Sequence, residues 1–153
     1  MTEHELAELV EAARWAPTAF DPQHFRLVVV DDRAVIDQLA RAGSLGDAIA
    51  GAPMLIAVVF DPGAAAPGDP HGMISLGCVL ENLWLAASAC RLDVQIMSGL
   101  AAAATAPEVK RVLGIPAAWQ IAYALRLGHA LRPAAQPRDR RVSELVVGRN
   151  HFA

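Results

Sequence analysis

Two cysteines are the whole thiol complement of this 153-residue chain, and they offer no cross-link. Cys78 and Cys90 fall within one predicted helix, and twelve residues of helix separate them by about 18 Å, far beyond disulfide reach. They fit small core hydrophobes in a reducing cytosol, so a cytoplasmic location is expected. The chain opens polar and acidic, without the basic segment and apolar run of a targeting peptide. The greasiest stretch, MISLGCVLENLWLAASAC, carries Glu81 and Asn82 in its middle. It is only marginally long enough to span a bilayer, which favours a buried helix and no membrane. Net charge is −3, so no global basic field draws the chain to nucleic acid.

Several chemistries lack their motifs. There is no G-x-x-x-x-G-K-[ST] and no G-x-G-x-x-G, so both phosphate-cradle fingerprints are missing. IMSGL lacks the glycine two residues before Ser98 that a nucleophile elbow needs. His4, His24, His71, His129 and His151 are scattered and pair with no Cys or carboxylate at metal-ligand spacing, so no metal is expected.

What the chain has is apolar surface. Hydrophobic residues make up 54%, and the surplus is expected in subunit contacts. The length suits one domain over residues 1–153, with 130–153 as a C-terminal extension. Thr2 and Glu5 form a capping-box pattern ahead of a helix whose apolar face is marked by Leu6, Val10 and Ala13. That helix stops before Pro17. FRLVVV, from Phe25 to Val30, predicts a central strand, because it is mostly apolar. A short helix follows, ending near Gly43, and then the strand APMLIAVVFD. A long helix is predicted from about Met73 to Cys90, apolar nearly all round. DVQIMSGL is ambiguous between strand and loop. APEVKRVLGIP is a helix closed by Gly114 and Pro116, and WQIAYALRLGHA is a third strand. Strands do not alternate regularly with helices of similar length, which predicts an α+β fold.

Two segments carry unusual chemistry. RWAPTAFDPQHF, from Arg14 to Phe25, loads a helix–strand connection with prolines, polar groups and aromatics. By itself it fits a capped turn with Trp15, Phe20 and Phe25 in the core. Arg138, Arg140 and Arg141, with Arg132 nearby, could grip one phosphate through forked hydrogen bonds. On spacing alone, a solvated tail is the simpler explanation.

In order along the chain, four segments resemble the nitroreductase family of flavin-dependent oxidoreductases. EAARWAPTAFDPQHFRLVVVDD is similar to the family's A-R-W-A-P-[ST]-x-x-N-x-Q-x-[WF] segment. GMISLGCVLENLWLAASACRLDVQIMSGL resembles its central helix, with a Gln/Glu-Asn-Leu/Met core, and the turn after it. PEVKRVLGIPAAWQIAYALRLGHA resembles its LGIP…LGY segment, and RDRRVSELVVGRNHF its basic C-terminal strip. The resemblance implies an α+β sandwich with a mostly antiparallel sheet flanked by helices, in an intertwined homodimer with flavin mononucleotide (FMN) at the interface. It implies that Pro17, Thr18, Ala19, Asp21 and Gln23 line the flavin pocket from the partner subunit, with Phe25 helping to anchor the loop. Met97, Ser98 and Gly99 would lie at the reactive edge of the ring, where a backbone N–H meets flavin N5. Arg138, Arg140 and Arg141 would hold the phosphate.

The implied activity is hydride transfer from NAD(P)H through FMN to nitroaromatic, quinone or similar conjugated acceptors. No catalytic side chain is expected, because the flavin carries the chemistry. A deazaflavin would satisfy similar phosphate-end contacts. The sequence departs from the family pattern twice. The Arg-rich arm that usually precedes the first helix is missing here. At roughly 1.5–3 kcal/mol for each charge-assisted hydrogen bond, losing two or three weakens flavin binding by orders of magnitude; Arg132 or Arg149 could compensate. Asp21 stands where the family usually has Asn, and an ionised carboxylate there would disfavour an anionic reduced flavin. These departures leave two alternatives: a flavin-binding or storage protein, and a non-catalytic dimeric module of the same fold.

Overall fold

The computed structural model describes residues 1–19, 23–42, 46–64 and 70–130. Thr2 starts the first helix, α1 (Glu3–Arg14), through a complete capping box. Glu5 N–H donates to Thr2 Oγ1 at 3.2 Å, and Thr2 N–H donates to Glu5 Oε2 at 2.6 Å. The buried face of α1 runs through Leu9 and Ala13, with Leu6 part-buried. Val10 is 41% exposed, so the apolar face is rotated by part of a turn from the expected one.

After α1 come β1 (Phe25–Val30), α2 (Arg33–Ala42), α3 (Gly46–Ala50) and β2 (Met54–Phe60). Then follow α4 (Pro70–Ala89), β3 (Asp93–Ile96), α5 (Ala106–Leu113) and β4 (Gln120–Gly128). Short 3-10 turns cover Pro62–Ala64 and Ser98–Ala101. The ambiguous DVQIMSGL segment is therefore both things, a four-residue strand and then a turn. Gly114 ends α5 in the left-handed region at φ 66°, where a residue without Cβ fits at no steric cost.

Among the described residues the strands form one antiparallel sheet in the order β1-β2-β4-β3. The expected central strand β1 lies at an edge. Its apolar content has another cause: helices cover both faces of the sheet, so both alternating sets of side chains meet core. β2 shows this most fully. Leu55, Ala57 and Val59 point into one core, with Ile36 and Leu39 of α2, Ile49 of α3 and Val109 of α5. Ile56 and Val58 point into the other, with Leu9 of α1 and Leu76, Val79 and Leu83 of α4. The result is a helix–sheet–helix sandwich. A bulge at Ala122, between the pairs Val58–Tyr123 and Val59–Ile121, restores β4 to this alternation.

By length and composition α4 could cross a membrane. It buries Ser75, Leu76, Val79, Leu83 and Ala87 against α1 and the sheet, and Tyr123 donates its hydroxyl to the Leu76 carbonyl at 2.8 Å. The opposite side exposes Met73, Ile74, Trp84 and Leu85. Cys78 and Cys90 are free and half-buried.

Candidate functional site

Pro17, Thr18 and Ala19 leave the end of α1 as an irregular segment that runs toward β1. Trp15, expected in the core on the simple turn interpretation, is 70% exposed. Its indole Nε1–H donates to Glu11 Oε1 at 2.7 Å, and the Arg14 guanidinium lies 4.8 Å from its ring centroid. Arg14 also pairs with Glu11 at 2.6 Å. Hydrogen bonds from Arg14, and then from the indole, pull the Glu11 carboxyl down to about 2. An exposed aromatic shelf, tied to Glu11 and Arg14, thus precedes the loop.

Inside the loop, Ala19 N–H donates to Ser75 Oγ at 3.1 Å. Thr18 Oγ1 is buried with no hydrogen-bond partner. Beyond the described gap, Gln23 sits at φ 41°, in the region that residues with a Cβ rarely occupy. Arg26 Nη1 holds this turn by donating to the carbonyls of Gln23 and Phe25, at 3.0 and 2.7 Å. His24 is 5% exposed; its ring meets Phe60 edge-on at 6.4 Å, and neither nitrogen has a partner. The backbone here is anchored, because the His24 carbonyl accepts the Asp61 N–H at 3.0 Å. Phe25 pairs with Phe60 at the end of the sheet and packs part-buried on the α1–α4 core.

Met97 is buried, and its N–H donates to the Ala124 carbonyl at 2.7 Å. Its side chain belongs to the core on the α2–α5 side, where it seats the following turn. Ser98 is exposed and Gly99 half-buried, so the next two residues present backbone at the surface. Asp21, together with Phe20 and Pro22, lies outside the described residues, as do Arg132, Arg138, Arg140, Arg141 and Arg149.

Among the described residues, one chain holds these two segments apart. The 17–25 loop feeds the β1 edge and is tied to α4, on one face of the sheet. Met97–Gly99 follows β3 at the other edge, and Leu100 packs on the opposite face. Three strand spacings separate the edges, roughly 14 Å. Both segments stand toward the same end of the sheet, marked by Phe25, Phe60 and Gln120.

Sequence reasoning missed Ser75, Asn82 and His24 as parts of this region. The helical spacing of Ser75 and Asn82, two turns apart, carried the signal for the first two. The burial of His24 had none, since its neighbours Phe60 and Asp61 come from a distant strand end.

A family model described as the nitroreductase family matches residues 1–43 and 41–129. No curated protein matches the chain. Solved structures of similar fold include a Desulfovibrio desulfuricans protein assigned as a nitroreductase and solved with FMN, with TM-score 0.84 and 24% identity over 99% of this chain and 87% of that one. The NADPH:FMN oxidoreductase of Vibrio harveyi, complexed with NAD+, aligns at TM-score 0.79 and 22% identity over 100% and 70%. An FMN-dependent nitroreductase from Clostridium difficile aligns at 0.83 and 16% over 99% and 90%. At these identities the likeness is one of fold.

Proposed function

The chain belongs to the nitroreductase family, and from that premise we propose that it is an FMN-dependent oxidoreductase that uses NAD(P)H, works as a homodimer in the cytoplasm, and reduces nitroaromatic, quinone or similar conjugated acceptors. The observation that carries this reading is the separation of the two candidate segments. With the two segments at opposite edges and on opposite faces of one sheet, a flavin that meets both is assigned the 17–25 loop of one chain and the Ser98–Gly99 turn of its partner.

The residues present fit such a group. Thr18 Oγ1 is an orphaned buried polar atom within the loop. Ala19, Ser98 and Gly99 are small enough for a planar ring to approach the backbone. Pro17 fixes the loop's entry. The strained turn at Gln23, clamped by Arg26, sets its exit. Asp21 completes the loop as proposed, and Arg138, Arg140 and Arg141 supply charge for the phosphate. Met97 holds Ser98 and Gly99 in place from within the core. When bound, FMN supplies hydride acceptance from NAD(P)H and its delivery to the acceptor. The protein's part is to hold the ring, exclude a competing orientation and leave one face open.

The exposed stripe of Met73, Ile74, Trp84 and Leu85 on α4 is the surface that the second copy covers. The test is steady-state oxidation of NADH and of NADPH by FMN-loaded protein, with a quinone and a nitroaromatic as acceptors. Turnover with either nucleotide supports the reading. Stable FMN uptake without turnover would leave a flavin carrier in its place. Replacing Arg140 and Arg141 together with alanine should release FMN while the protein stays dimeric. A double variant that binds FMN as tightly as the parent would remove that strip from the site.

A further inference from the structure

Ser75 and Asn82 lie two turns apart on one face of α4, and each reaches the stretch that leads into the cofactor loop. Asn82 Nδ2–H donates to the Ala12 carbonyl at 2.9 Å, in the last turn of α1. Ser75 Oγ accepts the Ala19 N–H at 3.1 Å and donates its proton to the His71 carbonyl, one turn back, at 2.8 Å. Ala12 and Ala19 are also seven residues apart, so the two chain segments are joined at matching intervals. Ser75 is 3% exposed and Asn82 is half-buried.

The chemistry of each contact is specific. A serine hydroxyl has one proton and two lone pairs. Its proton is committed to the His71 carbonyl, so a lone pair must face Ala19, which can only donate. Serine inside a helix often makes the back-bond alone; here the back-bond orients the hydroxyl for a second, long-range contact. Ala12 lies in the last turn of α1, where carbonyls run short of intrahelical donors; its carbonyl accepts the Trp15 N–H at 3.2 Å, and Asn82 supplies a second donor. The other face of α4 carries the apolar stripe assigned to the second copy. One helix therefore carries the subunit contact on one side and grips the loop on the other.

We propose that Ser75 and Asn82 are positioning residues that dock the 12–19 segment onto α4 and hold Thr18 and Ala19 in the shape that takes the flavin. This role rests on the flavin reading above. Neither side chain is assigned a contact with the flavin itself; each acts through backbone.

The test compares the parent with Ser75→Ala and Ser75→Thr. Two quantities are read: amide hydrogen exchange of Ala19 in the flavin-free protein, and FMN affinity by fluorescence quenching. Ser75→Ala should speed Ala19 exchange about tenfold and weaken FMN binding by a similar factor, the scale of one lost hydrogen bond. The midpoint of thermal unfolding should move only slightly. Ser75→Thr keeps the hydroxyl and should restore both quantities. Asn82→Leu should weaken FMN binding in the same direction and gives a second, independent variant. Unchanged Ala19 exchange in Ser75→Ala overturns the proposal, as does faster exchange with FMN affinity intact. A parent protein that takes up no FMN overturns the flavin reading and this role with it, and that failure is distinct because it precedes any substitution.

Discussion

Glu11 shows how much local order one exposed carboxylate can impose. It accepts hydrogen bonds from Arg14 and from the Trp15 indole, and its pKa falls to about 2. A depressed carboxyl pKa means the folded state favours the ionised form. The contribution is present above the unfolded value near 4.5 and is lost as pH falls through about 2. In an NMR titration the Glu11 carboxylate should have its midpoint near 2, and the Trp15 indole N–H resonance should move with it. A midpoint near the ordinary carboxylate value would mean the shelf is not held in solution. His24 makes the opposite case. In either protonation state an imidazole keeps at least one N–H, and here the ring is buried without an acceptor. Leaving such a group unsatisfied costs about 1–3 kcal/mol. His24→Phe should therefore raise the thermal midpoint of the flavin-free protein by about 2–4 °C per kcal/mol recovered. A drop of that size would show that the ring has a partner in solution.

Among the elements, α4 separates what the sequence states from what only the fold decides. Its length, its apolar composition and its place after a Pro/Gly loop are all legible. Its first turn starts at Pro70, three residues before the expected Met73. Which side faces water is less legible, because nearly every position is apolar and periodicity carries little contrast. The structure resolves it through partners: Ser75, Leu76, Val79 and Leu83 inside, Ile74, Glu81 and Leu85 outside. Ile74→Glu with Leu85→Glu should leave the monomer folded, since both side chains are exposed in one chain. The same pair should shift sedimentation from dimer to monomer and abolish FMN retention. A double variant that remains dimeric would move the subunit contact off this face. β1 teaches a related lesson. An apolar strand suggested a central position, yet an edge strand covered by helices on both faces meets the same demand. Capping at Thr2 and Gly114, by contrast, is local chemistry, and it was readable residue by residue.

For the whole molecule, the α+β class followed from the irregular alternation of elements, and the antiparallel pairing agrees with it. The site was legible only as separate pieces of chain. Neither hydropathy nor spacing reveals that the 17–25 loop and the Met97–Gly99 turn lie at opposite edges of the sheet. That follows from strand order, which is set by long-range pairing. The ties from Ser75 and Asn82 were hidden for the same reason, since each joins residues more than fifty positions apart. The central proposition is a flavin site shared between two chains, and a complementation experiment tests it most directly. One variant carries a bulky substitution in the loop, Ala19→Trp, and the other a bulky substitution in the turn, Gly99→Trp. Each alone should bind no FMN. Mixed after dissociation and reassembly, they should regain about a quarter of the parent's binding, because half of randomly paired dimers are mixed and each of those holds one intact pocket. No recovery in the mixture, with dimers formed and the parent binding FMN, would place both segments' contacts within one chain and contradict the shared site.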